Sequence, residues 1–145
     1  MVRLAFPITR VGLTLDALVG VDGSTMAALQ QAGQPITPPV LVRALIDTGT
    51  DITAVSAPII RQLGIPQKVQ TLSQTASGLV QARLFNISFS VPDSLGVAAA
   101  FVLPQLLVME LTARLPDIDV LIGLDVVASW RLMIDGPARS FAVEY

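Results

Sequence analysis

Short apolar runs rich in β-branched residues recur along this chain. Turn-forming residues cut them roughly every ten positions, a spacing that suits strands and leaves little room for long helices. VGLTLDALVGV at 11–21, VLVRALI at 40–46, AAAFVLPQLLVM at 98–109 and DIDVLIG at 117–123 all read as strands. VQTLSQTASGLVQARLFNISFSV at 69–91 reads as a long hairpin with its tip at Ala76, Ser77 and Gly78, and RLMID with RSFAVEY as a second hairpin around Asp135-Gly136-Pro137. Helical signals are confined to APIIRQLG, closed by Gly64, to LDVVASW, and to one or two turns in STMAALQQAG, where Ser24 stands as N-cap and Gly33 as C-cap. That last segment belongs to a polar, Gly- and Pro-containing stretch at 22–39 that reads as an inserted loop. One all-β domain over 1–145, a barrel or a sandwich, is the expected architecture.

Apolar residues make up 52% of the chain and charged residues only 14%, so some apolar surface is expected to meet a partner, a second copy of the chain included. Nine basic residues are scattered rather than striped and the net charge is −2, which argues against a nucleic-acid partner. The longest apolar stretch, LGVAAAFVLPQLLVM, is broken by Pro104 and Gln105 and is too short to span a bilayer, so no membrane partner is expected. The N-terminal MVRLAFPITR lacks the continuous apolar segment of a signal peptide, and a cytoplasmic location is the default expectation. The chain has neither Cys nor His, which removes disulfides, thiol nucleophiles, zinc sites built on those ligands and every mechanism with a histidine base. Any catalysis has to rest on carboxylates, hydroxyls, Lys68, an Arg or the backbone.

Within that inventory, LIDTGTDITAVS at 45–56 stands out. An aspartate at the end of a buried strand is costly unless something pairs with it or uses it. Turn chemistry is the simpler account of Asp47, because Asp and Thr side chains bond nearby backbone N–H groups and Gly accepts unusual backbone angles. Two further features change the weighting: a second apolar run, Val120-Leu121-Ile122, that ends in Gly123 before a helix, and the hairpin tip lying between the two motifs.

The order LIDTGT, small-residue tip, VLIGLDVV and RLMID resembles the retropepsins, the single-domain aspartic proteases of retroviruses, and especially their cellular, bacterial and DNA-damage-inducible-protein relatives. The resemblance runs from about residue 40 to 134 and fails in the 22–39 loop. It implies a closed, all-β retropepsin-like barrel with a short C-terminal helix, and an obligate homodimer in which each protomer supplies one aspartate. Such a dimer would cut extended peptide or protein substrates between apolar residues, with no cofactor and no metal.

Residue by residue, the resemblance implies that Asp47 is the catalytic acid and that Thr48 bonds across the dimer. Gly49 would let the backbone pass close to the carboxylates, and the Thr50 hydroxyl would bond the outer oxygen of Asp47 and favour its ionised form. An acid-leaning pH optimum, raised by Thr50→Ala, follows from that last bond. Leu121, Ile122 and Gly123 would support the aspartate loop, and Asp125 matches the Asp or Asn that follows this glycine motif in the family. Leu124 stands where viral enzymes carry an Arg that pairs with the acid equivalent to Asp51, which leaves Asp51 as either a binder of substrate backbone or a solvated loop acid. Ala76, Ser77 and Gly78 would form the flap over the substrate; a plain exposed turn is the simpler reading. Trp130 reads as core. RSFAVEY would join a dimer sheet, as in viral enzymes, or fold back as an edge strand on its own protomer. Two rival functions remain beside the peptidase: a catalytically silent dimerisation or peptide-binding module on the same fold, and an unrelated β-sandwich with a chance Asp-Thr-Gly turn.

Overall fold

A computed structural model of the chain describes residues 1–75 and 78–145. Among the described residues, ten strands and three short helices follow one another as β1 (Arg3–Pro7), β2 (Thr14–Val21), α1 (Gly23–Gln31), β3 (Val40–Ile46), β4 (Ala54–Ser56), α2 (Ala57–Leu63), β5 (Val69–Thr75), β6 (Gly78–Pro92), β7 (Ala99–Leu111), β8 (Val120–Ile122), α3 (Leu124–Val127), β9 (Arg131–Asp135) and β10 (Ser140–Glu144). The larger sheet runs β2-β3-β8-β4-β7-β6-β5, and a further β2–β6 pairing closes six of these strands into a barrel. β5 hangs on β6 outside the closed ring and makes the long hairpin expected from the sequence.

Alternation along the strands fills the barrel. On β6, Phe85, Ile87, Phe89 and Val91 point inward, with Ile87 and Phe89 fully buried, while the residues between them are partly exposed from Asn86 onward. Val19 of β2, Val55 of β4, Val108 of β7, Val120 and Ile122 of β8 and Val143 of β10 meet them in one core cluster. Pro104, which breaks the apolar run in the sequence, lies inside β7 where the β6–β7 register slips between Ile87 and Phe89. A proline cannot donate to a ladder, and a bulge is where a strand tolerates that loss.

The 22–39 segment does hold a helix, α1, but its caps differ from those expected. Asp22, not Ser24, is the N-cap and accepts from the Thr25 N–H, because its carboxylate reaches the third helical residue from one turn position earlier. Ser24 lies inside the first turn and donates instead to Gln105 Oε1 of β7. The C-cap is Ala32, with Gly33 following at φ 65°. No residue of α1 is buried, so the helix lies on the barrel without adding to its core. α2 ends at Gly64 (φ 65°) as expected, and α3 is the short C-terminal helix.

A second, three-stranded antiparallel sheet has the order β1-β10-β9. The RSFAVEY segment is therefore neither a free dimer strand nor an edge strand. β10 is the middle strand, and β1 and β9 of its own protomer occupy both of its hydrogen-bonding edges. Behind this sheet Phe101, Trp130 and Tyr145 form an aromatic cluster with ring centroids 5.1–5.5 Å apart, and Trp130 is core as expected. Among the described residues, no helix is long and apolar enough to cross a membrane.

Phe89→Ala removes a fully buried ring from the barrel and is expected to cost about 3–5 kcal/mol, read as a lowered urea midpoint. Burial pushes the Tyr145 phenol from its ordinary 10.0 up to about 12. The fold thus favours the neutral phenol, and this contribution to stability is whole below pH 10.0 and lost as the pH climbs toward about 12. Denaturant midpoints measured across that window should fall in the wild type and fall less in Tyr145→Phe.

Candidate active site

Asp47 leaves the barrel directly after β3, at the start of the 47–53 loop that leads into β4. Its backbone N–H donates to the Ile122 carbonyl at 2.9 Å, so the residue is tied to β8 before the chain turns. The Gly49 N–H donates to Asp47 Oδ1 at 2.9 Å, and the Thr50 N–H to the Asp47 carbonyl at 3.4 Å. This is the Asx-type turn that an Asp-Thr-Gly sequence favours, and it holds the half-buried carboxylate in one orientation at the barrel surface. A Cβ on Gly49 would stand 3.1 Å from Asp47 Oδ1, so the tight approach suits glycine.

β8 supplies the floor. It runs parallel to β3, with Ile46 opposite Ile122, and antiparallel to β4, with Ala54 opposite Leu121, and so fills the space between the two strands that carry the loop. Gly123 then turns the chain into α3 against the loop itself. A Cβ there would lie 2.8 Å from the Ile52 carbonyl carbon and 3.0 Å from the Thr50 carbonyl oxygen, which is closer than backbone atoms permit. The Leu124 N–H donates to Thr50 O and the Asp125 N–H to Asp51 O.

Asp125 closes the bracket from the other direction. Its carboxylate accepts the Thr53 N–H at 3.0–3.1 Å and the Thr53 hydroxyl at 2.8 Å, while Thr53 Oγ1 accepts the Gly123 N–H at 3.0 Å. Thr53 is fully buried, so each of these bonds is made away from water, where an unmade one is expensive. Both ends of the aspartate loop are thereby anchored to residues 122–125.

Asp47, Thr48, Gly49, Thr50, Leu121, Ile122 and Gly123 thus form one constellation. The Thr48 side chain is exposed and, among the described residues, makes no hydrogen bond within the protomer. The Thr50 hydroxyl corrects an expectation: it donates to the Ile52 carbonyl at 2.9 Å and not to Asp47, because the loop turns it back on its own backbone. A pH optimum shifted by Thr50→Ala has no support in this protomer. The Asp51 side chain is exposed and without a described partner, in keeping with a solvated loop acid, while its carbonyl serves the bracket. Ala76 and Ser77 lie outside the described residues. Gly78 opens β6 at φ 115° opposite Thr75, and Leu72, Leu79 and Val80 beside it are exposed apolar side chains.

Sequence reasoning misses Thr53. Its only signal is a hydroxyl in the otherwise apolar run ITAV directly after a polar loop. A cavity of about 850 Å³ opens between 56–58 and 111–119, and another of about 770 Å³ beside β1; Asp47 lines neither. Among the described residues no cluster of three or more acidic side chains converges to hold a metal ion.

Thr53→Val keeps the shape of the side chain but strands the Gly123 N–H and removes the hydroxyl donor to Asp125 Oδ1, leaving the carboxylate only the Thr53 N–H. Chemical denaturation should show a loss of about 1–3 kcal/mol, with Thr53→Ser much closer to wild type.

The model of a family described as aspartyl protease matches residues 33–126. No curated protein gives a match to this chain. Among solved structures the chain is similar to a retropepsin-like aspartic protease from Rickettsia conorii, with a TM-score of 0.62 and 14% identity over 99% of this chain and 90% of that one. A weaker likeness is to the retroviral protease-like domain of Ddi1 from Leishmania major, with a TM-score of 0.41 and 17% identity over 84% of this chain and 81% of that one. The Rickettsia likeness bears on the fold, which is the retropepsin-like barrel and not a β-sandwich. The family match spans well over half of the chain and includes both the aspartate loop and the Gly123 motif that braces it, so the chain belongs to the aspartyl protease family.

Proposed function

We propose that this protein is an aspartic endopeptidase that works as a homodimer, with Asp47 of each protomer facing its mate. The observation that carries the reading is the braced loop: one carboxylate, oriented by Gly49 and anchored through Ile122, Gly123 and Asp125, stands at the surface of each chain. Such rigidity suits a group that must meet a partner at a defined distance. A single carboxylate has no second acid–base group at hand, and the chain has no His to supply one.

Two carboxyls brought a few ångströms apart share one proton, as in aspartic proteases generally, since both cannot ionise cheaply. The ionised member takes a proton from a water molecule as that water attacks the scissile carbonyl. The protonated member polarises the carbonyl oxygen and then passes its proton on. The unpaired Thr48 hydroxyl is free to bond across the dimer beside this pair. An extended peptide would lie between the loop and the β5–β6 hairpin, bonding by its backbone while Val80, on the hairpin face that continues into buried Ala82, favours apolar side chains.

A mixed peptide library incubated between about pH 4 and 7 tests the reading, because a shared proton is required for turnover. The expected result is cleavage by the wild type, specific activity that falls on dilution, and activity in Asp47→Asn reduced to about a thousandth or less. A dimer that captures peptides equally well as wild type and Asp47→Asn, with cleavage by neither, would instead assign the barrel to peptide binding.

A further inference from the structure

We infer that Asp119 is a specificity-determining residue, and that the peptides this protein takes carry Lys or Arg at the position whose side chain lies over Leu45 and Leu121. The inference rests on the peptide-cleaving reading above, which leaves the β3–β8 side of the site without a stated preference.

Strand parity puts these groups on one face. Val42, Ala44 and Ile46 of β3 and Val120 and Ile122 of β8 are buried in the barrel, so Arg43, Leu45, Asp119 and Leu121 point the other way. The Asp47 N–H bonds to Ile122 O and the Asp119 N–H to Arg43 O, so the parallel ladder runs on at both ends and Asp47 shares that outer face. Leu45 and Leu121, opposite each other, are half-buried, while Thr14 and Ala54 on either side of them are closed to solvent. Behind Asp47 the face therefore offers a narrow apolar row first. About 7 Å further back, two residues along the strands, comes a charged row of Asp16, Arg43 and Asp119.

One carboxylate of that second row lacks a cation. The Arg43 guanidinium turns toward β2, where it donates to Asp16 Oδ1 at 3.0 Å and to Thr14 Oγ1 at 3.1 Å. Asp119 is half-buried, and its Oδ2 accepts the Arg43 backbone N–H at 3.1 Å. Its Oδ1 has no partner among the described residues, and no ion pair there involves Asp119. The side chain lines the 850 Å³ cavity together with Ser56, whose hydroxyl makes no capping bond to α2. The other charged side chains of this cavity, Arg114 and Asp117, are of opposite sign, so its net charge is that of Asp119. A partly desolvated carboxylate with a free oxygen and room beside it favours a cation brought by the ligand.

An apolar row followed by an unpaired carboxylate fits Lys and Arg. Their stems lie along hydrophobic surface while the charged head reaches past it, and the four-carbon stem of Lys is matched to a row spacing of about 7 Å. A Glu at the same position would meet a like charge. An aliphatic side chain would cover the leucines and leave Asp119 without a counter-ion.

Decapeptides with Lys walked through each position, each beside a norleucine twin that keeps the stem and drops the ammonium, read this preference. The wild type should favour Lys about tenfold or more in kcat/KM at one position counted from the cut. Asp119→Asn keeps an acceptor for the Arg43 N–H and should bring the ratio near one, while Asp119→Lys should turn the preference to Glu. Asp117→Asn removes a charge from the same cavity and should retain most of the ratio. Fluorescence anisotropy of the labelled peptides on Asp47→Asn reads binding without turnover and should give the same order. A ratio near one in the wild type, a ratio that survives in Asp119→Asn, or an equal loss in Asp117→Asn would overturn the inference. Cleavage without a Lys preference leaves the proteolytic reading standing and removes this one. Lys-selective binding that depends on Asp119, with no cleavage, does the reverse, and failure to cut or capture any peptide removes both.

Discussion

The grip of Asp125 on Thr53 is the interaction around which the site is organised. Through Thr53 Oγ1 it reaches the Gly123 N–H, and through the backbone of Leu124 and Asp125 it holds the carbonyls of Thr50 and Asp51. A loop of polar residues at a barrel surface would otherwise sample many conformations at little cost, because loops carry few packing contacts to oppose their entropy. Here both of its ends and its middle are bonded to one short segment, and that segment is itself buried in the core through Val120, Ile122, Val126 and Val127. Orientation of Asp47 is therefore inherited from the hydrophobic core by way of a few buried polar bonds.

This coupling explains why the family motif has two halves. Asp-Thr-Gly makes the turn, but the Asx bond alone sets only the carboxylate's angle relative to its own backbone. β8 and Gly123 set where that backbone lies, since β8 fits between the two strands that flank the loop and no side chain larger than hydrogen fits at 123. Neither half places the acid without the other. The same economy leaves Thr48 with its hydroxyl unspent and Asp51 solvated, so the polar groups not used within the protomer lie beside Asp47.

Two sheets divide the labour. The closed barrel carries the loop and the β5–β6 hairpin, and the three-stranded sheet, held by the Phe101, Trp130 and Tyr145 cluster and by Phe141 stacked on Phe6, forms a separate outer layer with unpaired edges. The closed ring has no free strand edge and leaves one only at β5, outside it, whereas the open three-stranded sheet has its edges at β1 and β9.

Local sequence determined most of the strands, the long hairpin, α2 and α3, and the aspartate turn, because each depends on residues close together in the chain: period-two burial, Gly64 at a positive φ, and an Asp accepting from the N–H two residues on. The pairing of LIDTGT with VLIG was legible only through resemblance to a family, since nothing local in either run specifies the other. Contacts decided in three dimensions were not legible. Thr53 and Asp125 are far apart in sequence and meet only because β8 lies beside β4; Thr50 turns to Ile52 because the loop is already pinned; and RSFAVEY becomes the inner strand of a sheet because β1 and β9 close on it from opposite ends of the chain. Amphipathic period and turn chemistry act over a few residues, while the partner of a strand edge or a buried hydroxyl is chosen by whichever distant segment the closed barrel brings within reach.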